Sequence, residues 1–417
     1  MRIAYLLSAL GRSGGVNAVL QHSRWLHEDF GHEITIFVHD DRPVVDDVGA
    51  GAYASVRLLQ DVEPGEPEFD IAIATYWETA FWLHEIPART YAHFVQSLED
   101  RFAPPRTGLR LQARASQGLP LKLYTEAEWI SDSLQAVRDH EHIPVVRNGI
   151  DKDAFPLIDA KSTHDGPLRI LIEGHPDVWF KSVPEARAVV EQMQQPHEVV
   201  YVVPNPDHFG PTLEHGTAEG PLTGEQLCER YTWADVVLKL SRVEGMFGPP
   251  LEGFHRGATC VVWPVTGHDE YIVHGKNGIV TDWDDIRGTA RWLDILAERR
   301  DLLAGLQAEA IVTAAAWPSW RDQAPAVNDL LGKLVSEGGG TSREDLRTVS
   351  EAMRVSLFAA DRQFATMGQL DGGWSETHKR MWALEAEVER MGGRKRERAR
   401  RFAQKVYRRI KPVQPID

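Results

Sequence analysis

Residues 241–252 read Ser241-Arg242-Val243-Glu244-Gly245-Met246-Phe247-Gly248-Pro249-Pro250-Leu251-Glu252, with two glutamates eight positions apart around a Gly/Pro turn. The apolar run from Asp235 to Leu240 predicts a buried strand before the turn, and Leu251 to Gly257 predict the start of a helix after it. In an open parallel sheet, ligands bind in the crevice beyond the carboxyl ends of the strands. Two carboxylates there can hold the hydroxyls of a sugar and a ribose, while backbone N–H groups at the helix start face a phosphate. The alternative is a surface turn with two solvated glutamates.

The composition is that of a folded protein with more than one domain. A chain of 417 residues is too long for one ordinary core and predicts two or three domains. Hydrophobic residues make up 42% and charged residues 26%, and no apolar run reaches the roughly 18 residues of a membrane span. Met1 to Leu7 lead into a glycine loop and predict a first strand, not a signal peptide. The two cysteines, Cys228 and Cys260, offer no disulfide framework, which favours a reducing cytoplasm.

Charge is unevenly distributed along the chain. Residues 394–411 hold ten Lys/Arg and one Glu, a balance of +9, so the net charge of −15 leaves −24 on the rest. An acidic body argues against nucleic-acid binding. In the basic segment Ala399, Phe402, Val406 and Ile410 follow one helical stripe, which predicts a helix lying on an anionic membrane. A solvated terminus, or a face docked on the acidic body, is the alternative.

Strand-like and helix-like patterns alternate through the first 330 residues, which is typical of βαβ units around a parallel sheet. A polar stretch near residues 152–165 separates two series of four β-type runs. These runs are Ile3–Leu7, Ile34–Val38, Ile71–Ala74 and Tyr91–Val95, then Leu168–Ile172, Val199–Val203, Val236–Leu240 and Thr259–Trp263. The pattern predicts an α/β fold of two doubly wound, Rossmann-like domains over 1–152 and 153–314.

Several segments resemble retaining glycosyltransferases of family four, whose plan of two domains facing a cleft is called GT-B. Residues 241–252 match their Glu-x7-Glu signature, and 266–280 resemble their Gly-Gly-x-x-Glu…Gly-x-Asn-Gly segment, with threonine in place of the first glycine. Asn148-Gly149-Ile150-Asp151 is similar to an element that ends their first domain. The resemblance implies that a helix near 315–335 packs back on the first domain. Residues 338–417, which are predicted to form a helical tail, lie outside the resemblance.

The resemblance implies roles for the matched residues. Glu244 would bind the transferred sugar and stabilise its oxocarbenium-like transition state, and Glu252 would hold the ribose hydroxyls. Lys181, with Arg242, would neutralise the diphosphate, because His175 stands where the family has an arginine and titrates near neutral pH. The other implied donor-binding residues are Gly14, Gly15, Ser241, Gly245, Phe247, Gly248, Gly267, His268, Asp269 and Glu270.

The family also places a histidine close to the transferred sugar. Here His93 lies within a predicted strand and is interpreted as a core histidine. Gln96 and Glu99, just past the strand, are better placed to face the cleft and join Glu244 as candidate catalytic residues. A glutamine cannot act as a base, but it can hydrogen-bond a sugar or a phosphate.

The implied activity is transfer of a sugar, with retention, from a nucleoside diphosphate sugar to a glycan or lipid-linked acceptor. No cofactor or metal is expected, because cations and backbone dipoles stabilise the leaving diphosphate in such enzymes, and the run Asp282–Asp285 is interpreted as a loop. The sequence of residues 239–250 resembles the family members that build bacterial surface polysaccharides. This resemblance makes dTDP-L-rhamnose the leading candidate donor. The expected location is the cytoplasm, with peripheral contact at the inner membrane face through 394–411.

Other interpretations stay open. A nucleotide-sugar epimerase would use the same donor but no acceptor. A non-catalytic GT-B scaffold would use the helical tail as an interaction surface, and the tail is also a candidate homo-oligomer contact. The histidine at position 175 favours the scaffold, whereas Glu244, Glu252, Lys181 and Glu270 together favour catalysis.

Overall fold

The computed structural model describes residues 1–11, 13–39, 49–103, 107–209, 216–338 and 340–357. The described residues up to Val355 belong to one compact unit, except Thr107 and Gly108. A second unit takes in residues 106–108 and 356–417, of which only four are described. The basic segment 394–411 and most of the predicted tail therefore lie outside the described residues, and their membrane and oligomer contacts stay predictions.

The first half of the compact unit is a six-stranded parallel sheet with strand order β3-β2-β1-β4-β5-β6. Its elements are β1 (Arg2–Leu7), α1 (Gly14–Phe30), β2 (Glu33–Val38), β3 (Ser55–Leu58), β4 (Phe69–Ala74), α2 (Trp77–Ala80), β5 (Ala88–Val95), α3 (Gly108–Ser116), β6 (Lys122–Thr125) and α4 (Glu128–Gln135). The chain crosses from β1 to β2 on one side and from β4 to β5 on the other, so strand order reverses between β1 and β4.

The second half repeats this plan in the order β12-β11-β10-β7-β8-β9. Its elements are β7 (Leu168–Glu173), α5 (Val183–Val190), β8 (His197–Val202), β9 (Gly216–Glu219), α6 (Gly224–Trp233), β10 (Val236–Lys239), α7 (Gly248–His255), β11 (Thr259–Val262), β12 (Gly278–Val280), α8 (Ile286–Glu298), α9 (Arg300–Ala316) and α10 (Trp320–Ser336). Residues 343–357 are also helical. The predicted α/β class with two doubly wound sheets is confirmed.

All eight strands that apolar runs predict are present, and the four that they miss are the four edge strands, β3, β6, β9 and β12. The edge strands β6 and β12 are mostly buried but only four and three residues long, whereas β3 and β9 carry few buried residues. β3 has no fully buried residue and neither has β9. Their sequences therefore lack the continuous apolar run by which a central parallel strand is recognised.

Helix α7 begins one turn earlier than the sequence predicts, at Gly248 and not at Leu251. Pro249 and Pro250 occupy its first turn, where the missing N–H has no helical partner to lose. Glu252 consequently lies in the second turn of the helix and not in its first turn. The carboxylate still reaches the cavity described below.

The chain returns to the first half after α9. Ile150 N donates to Pro318 O at 3.0 Å, and Trp320 N donates to Ile150 O at 3.3 Å, so the two crossing segments form one β-bridge. Helix α10 then packs on α1, β4 and β5. Its apolar face, including Trp320, Val327 and Leu331, belongs to the core of the first sheet.

Gly149 lies where these two segments cross. A Cβ atom at this position would be 2.2 Å from Trp320 N and 2.4 Å from Trp320 Cα, both backbone atoms that cannot rotate away. We expect Gly149→Ala to lower the free energy of unfolding by about 3 kcal/mol, measured by urea denaturation. The matched control is Gly305→Ala in α9, where a Cβ meets no atom within 4 Å. That change is expected to be neutral or to stabilise by about 0.5–1 kcal/mol. Equal free energies of unfolding for Gly149→Ala and Gly305→Ala would contradict the close approach of Gly149 to the backbone of Trp320.

In the described part of the chain, every helix is too short or too polar to cross a lipid bilayer.

Candidate active site

A cavity of about 620 Å³ lies at the carboxyl ends of the strands of both sheets. Its lining comes from the turns after β1, β4, β5 and β6 in the first half and after β7 and β10 in the second half. Strand order reverses between β1 and β4 and between β7 and β10. The cavity therefore lies at the switch points of two doubly wound sheets, which is where such sheets bind ligands.

Nine of the predicted site residues line this cavity. They are Gly14, Gly15, Gln96, Glu99, Lys181, Glu244, Gly245, Gly248 and Glu252. The other predicted residues are not among its lining: His175, Ser241, Arg242, Phe247, Gly267, His268, Asp269 and Glu270.

Glu244 and Lys181 form a bidentate ion pair in the cavity. Lys181 Nζ is 2.8 Å from both carboxylate oxygens of Glu244. Burial alone would lower the pKa of Lys181, but the carboxylates of Glu244 and Glu173 raise it above its ordinary value. Lys181 is therefore a cation at neutral pH, and Glu244 holds it.

A second lysine, Lys239, lines the same cavity, and sequence reasoning missed it. Its side chain is 1% exposed, at the end of β10. Lys239 Nζ donates to the backbone oxygen of Glu173 at 2.9 Å and forms an ion pair with the Glu173 carboxylate. Burial alone would raise the pKa of Glu173, but Lys239 and Lys181 lower it below its ordinary value. The signal was visible in the sequence, because a lysine within an apolar strand is almost never buried without a partner.

Both lysines lie beside Gly174, directly after β7. A Cβ atom on Gly174 would be 3.8 Å from Lys239 Nζ and 3.4 Å from Lys181 Cβ, and φ of Gly174 is +152°. The two are the cations among the described residues that line the cavity. They therefore form two neighbouring lysine–glutamate pairs at the switch point of the second sheet.

Glu252 reaches the cavity from α7, next to Tyr231 and Phe155 in the lining. Burial raises the pKa of its carboxyl to about 7, and the carboxylates of Glu173 and Asp151 act in the same direction. Burial likewise raises the pKa of Glu126 to about 7 and the pKa of Glu99 well above its ordinary value. Part of the acidic lining is thus neutral at pH 7.

These carboxyls predict a pH-dependent stability. A carboxyl with a raised pKa keeps its proton in the folded state after the unfolded chain has lost it, so its contribution falls as pH rises through about 7. Buried histidines with lowered pKa values, such as His22 and His255, act oppositely up to about pH 6.5. The test is therefore a difference between variants. Relative to wild type, Glu252→Gln should gain about 1–3 kcal/mol between pH 5 and pH 8 in urea unfolding. Exposed Glu198→Gln should gain nothing, and equal pH profiles for all three proteins would contradict the raised pKa.

The two predicted secondary cations lie away from the cavity. His175 is exposed, and its Nδ1 accepts from the backbone N–H of Asp177 at 3.2 Å. Arg242 is bound to Asp284 and, at 3.4 Å, to Glu185, and its guanidinium lies 4.8 Å from the centre of the Trp263 ring. The structure therefore brings Lys239, and neither of these residues, to Lys181.

The segment 267–270 contacts α4 of the first half. A Cβ on Gly267 would be 2.8 Å from Trp129 Nε1, and the residue has φ +83°. Glu270 accepts from Trp129 N at 3.5 Å, and His268 Nδ1 lies 2.6 Å from Val265 O. Asp269 is exposed. Their predicted contact with a donor stays a prediction.

Two further predicted residues, Ser241 and Phe247, are fully buried beside the cavity loop. Ser241 Oγ has no hydrogen-bond partner, and Phe247 O accepts from the Tyr271 hydroxyl. The hydrogen bond from Tyr271 to the Phe247 oxygen stabilises the loop from within the second half.

The first half contributes the opposite wall. Gln96 Nε2 donates to Thr75 O at 3.0 Å, while its Oε1 is buried without a partner, beside Gly15. Glu99 accepts from Trp77 N at 2.5 Å. His93 is buried outside this wall with both ring nitrogens unpaired, and burial lowers its pKa to about 3. It is therefore a neutral core histidine that lacks the hydrogen bonds expected of one.

The two halves meet at the loop that follows Glu244. Ser97 Oγ donates to Glu244 O at 3.3 Å, and Trp129 Nε1 donates to Gly245 O at 3.1 Å. Met246 N donates to Glu126 Oε1 at 2.8 Å. Sequence reasoning did not assign a role to Ser97, Glu126 or Trp129.

The described residues contain no group of three or more His, Cys, Asp or Glu side chains that could hold a metal ion.

Several solved structures share this fold. Sucrose-phosphate synthase from Thermosynechococcus elongatus gives a TM-score of 0.66 at 14% identity, covering 81% of this chain and 100% of that one. HepE of Anabaena in complex with UDP and glucose gives 0.65 at 13%, covering 80% and 100%. WaaG, a glycosyltransferase involved in lipopolysaccharide biosynthesis, gives 0.57 at 13%, covering 79% and 100%. These neighbours have the GT-B fold, and so does this chain. Identities this low establish the fold and not the activity.

No protein-family model matches the sequence, and no curated protein sequence matches it. The resemblance to family four and to rhamnosyltransferases stays a prediction.

Proposed function

We propose that this protein is a glycosyltransferase that moves a sugar from a nucleoside diphosphate sugar to a hydroxyl acceptor. The observation that carries the proposal is the paired arrangement of Lys181–Glu244 and Lys239–Glu173 in one cavity at the switch point of the second sheet. Two cations, the buried Lys239 and the partly exposed Lys181, suit the two phosphates of the donor, and adjacent carboxylates suit the hydroxyls of its sugar. The opposite wall, from the first half, leaves room for the acceptor.

In this proposal Lys181 and Lys239 bind the diphosphate, and Lys239 replaces the arginine that position 175 lacks. Glu252 accepts hydrogen bonds from the ribose hydroxyls. Glu244 exchanges its contact with Lys181 for the sugar ring and stabilises the positive charge that develops there. The raised pKa values of Glu99, Glu126 and Glu252 reduce the negative charge that an anionic donor would meet.

The reaction breaks the bond between the anomeric carbon and the donor phosphate and forms one between that carbon and the acceptor oxygen. With retention of configuration, the departing phosphate oxygen takes the acceptor proton, so no side chain needs to act as the base. The two lysines stabilise the charge on the leaving diphosphate, and the reaction is proposed to need no metal. Contact between the two halves excludes water from the transfer.

As donor we propose dTDP-L-rhamnose, and as acceptor a glycan or lipid-linked intermediate of a bacterial surface polysaccharide. Support for the sugar comes only from the sequence resemblance of residues 239–250, together with the segment from Gln96 to Glu99. The HepE structures are complexes with UDP and glucose and with UDP-glucose, which makes a uridine nucleotide the first competitor to test.

The test is a thermal-shift panel of dTDP-, UDP-, GDP- and ADP-sugars on wild type and Glu252→Ala. At a hundredfold excess over Kd, a true ligand stabilises the protein by about 2.7 kcal/mol. We expect one nucleotide family to stabilise wild type and not the variant. Absence of any shift would overturn the proposal. Tight binding without transfer or product formation would point to a scaffold, and release of an altered free sugar to an epimerase.

A further inference from the structure

The loop of Glu244, Gly245 and Met246 is held by the first half through its backbone. Three consecutive residues each contribute one backbone group: the oxygens of Glu244 and Gly245 accept from Ser97 Oγ and Trp129 Nε1, and Met246 N donates to Glu126. The two N–H···O distances, 3.1 and 2.8 Å, are those of ordinary hydrogen bonds, whereas the Ser97 contact, at 3.3 Å, is longer than an ordinary O–H···O bond. We call Ser97, Glu126 and Trp129 the clasp residues.

Gly245 shows how closely the loop and the first half approach. A Cβ on Gly245 would be 2.0 Å from the backbone oxygen of Gln96 and 2.7 Å from Glu126 Oε1. A glycine is therefore needed here for close backbone approach, not for an unusual φ angle. The approach places the turn after β5 directly against the loop that carries Glu244.

Glu126 is the central member of the clasp. It is 5% exposed, and its second carboxylate oxygen accepts from Asn148 Nδ2 at 2.7 Å. Both of its partners are N–H donors, and these two hydrogen bonds lower the pKa of the carboxyl, against the larger effect of burial. Asn148 itself belongs to the segment that crosses residues 318–320, because Trp317 Nε1 donates to Asn148 O at 3.0 Å. The clasp is thus linked to the point where residues 148–150 cross residues 317–320.

We propose that Ser97, Glu126 and Trp129 are positioning residues that fix the backbone of 244–246 and thereby orient the Glu244 carboxylate in the cavity. None of them needs to touch the substrate. Because they belong to the first half and the loop belongs to the second, Glu244 is oriented only when the two halves are in contact. The same contact excludes water from the cavity. The consequence for catalysis rests on the proposed function, whereas the grip on the loop does not.

The test compares Glu126→Ala with Glu128→Ala, an exposed glutamate two residues further along. Hydrogen exchange of a peptide covering 243–248 reports the loop directly. We expect the Met246 amide to exchange about tenfold faster in Glu126→Ala and at the wild-type rate in Glu128→Ala. In transfer assays, kcat should fall about tenfold while the donor KM changes less than twofold, because Lys181, Lys239 and Glu252, which are proposed to bind the donor, stay in place.

Two further variants separate positioning from a loss of folding. Trp129→Phe removes only the indole N–H donor and should raise exchange at 244–246 even where Glu126→Ala fails to fold. Glu126→Gln should restore slow exchange and most of kcat. Its amide oxygen can accept from Met246 N. Its NH₂ can donate to Asn148 Oδ1, which has no partner in the structure, once the Asn148 amide has rotated by half a turn from its present position, where Nδ2 faces residue 126.

Unchanged exchange at 243–248 in both Glu126→Ala and Trp129→Phe would overturn the clasp. A fall in kcat that is matched by the same loss of folded protein would also overturn it. If the variants exchange faster at 243–248 but the wild-type protein has no transferase activity, the clasp is retained and the proposed function is rejected. The two proposals therefore fail separately.

Discussion

Glu244→Gln is expected to abolish most turnover and, at the same time, to strengthen the binding of a free nucleoside diphosphate. Turnover should fall about 10²–10³-fold, because the positive charge on the sugar in the transition state loses its carboxylate. Diphosphate affinity should rise about fivefold. Glu244 neutralises Lys181 at 2.8 Å in the structure, and the variant frees that cation for the phosphates.

The opposite signs make this prediction specific. Kinetics measure turnover, and titration calorimetry with UDP and dTDP measures affinity. The matched control is Asp284→Asn, which removes a carboxylate from Arg242 outside the cavity and should change neither quantity. A loss of turnover together with weaker diphosphate binding would contradict the exchange of partners that we propose for Lys181.

Lys239→Met is expected to lower both stability and donor affinity. Glu173, whose side chain is 31% exposed, would lose its main partner, which costs about 1–3 kcal/mol in urea unfolding. The double variant Lys239→Met/Glu173→Gln should recover most of this stability, because no unpaired charge remains. Binding of the diphosphate to the double variant should stay about 10–100-fold weaker, the effect of losing one charged hydrogen bond.

The double variant separates the two roles of Lys239. If it is stable and binds nucleoside diphosphates as wild type does, Lys239 serves the fold only and is not a phosphate ligand. Lys276→Met is the control for general loss of positive charge, since Lys276 is exposed and pairs with Glu309 at 3.7 Å. It should change neither stability nor affinity.

Lys239 also shows how far the sequence carries. A single lysine in an apolar strand indicates a buried cation, but its partner Glu173 is 66 residues away and belongs to another strand. Only the pairing of β10 with β7 brings them together. Likewise Arg242 is adjacent to Glu244 in sequence, yet its side chain is directed to Asp284 and Glu185, outside the cavity. Residues close in sequence on a turn after a strand can therefore direct their side chains to opposite sides of the turn.

The amino-acid sequence by itself determined the α/β class, the eight central strands, the duplication of the sheet and the turn that carries Glu244 and Glu252. These follow from local hydrophobic periodicity and turn chemistry, which a short window of residues contains. The tertiary structure alone decided which groups share the cavity. It paired Lys181 with Glu244, 63 residues away, and brought Glu126 to Met246, 120 residues away. Such contacts depend on the relative positions of strand ends in two sheets. The pattern of a short stretch of residues does not determine those positions.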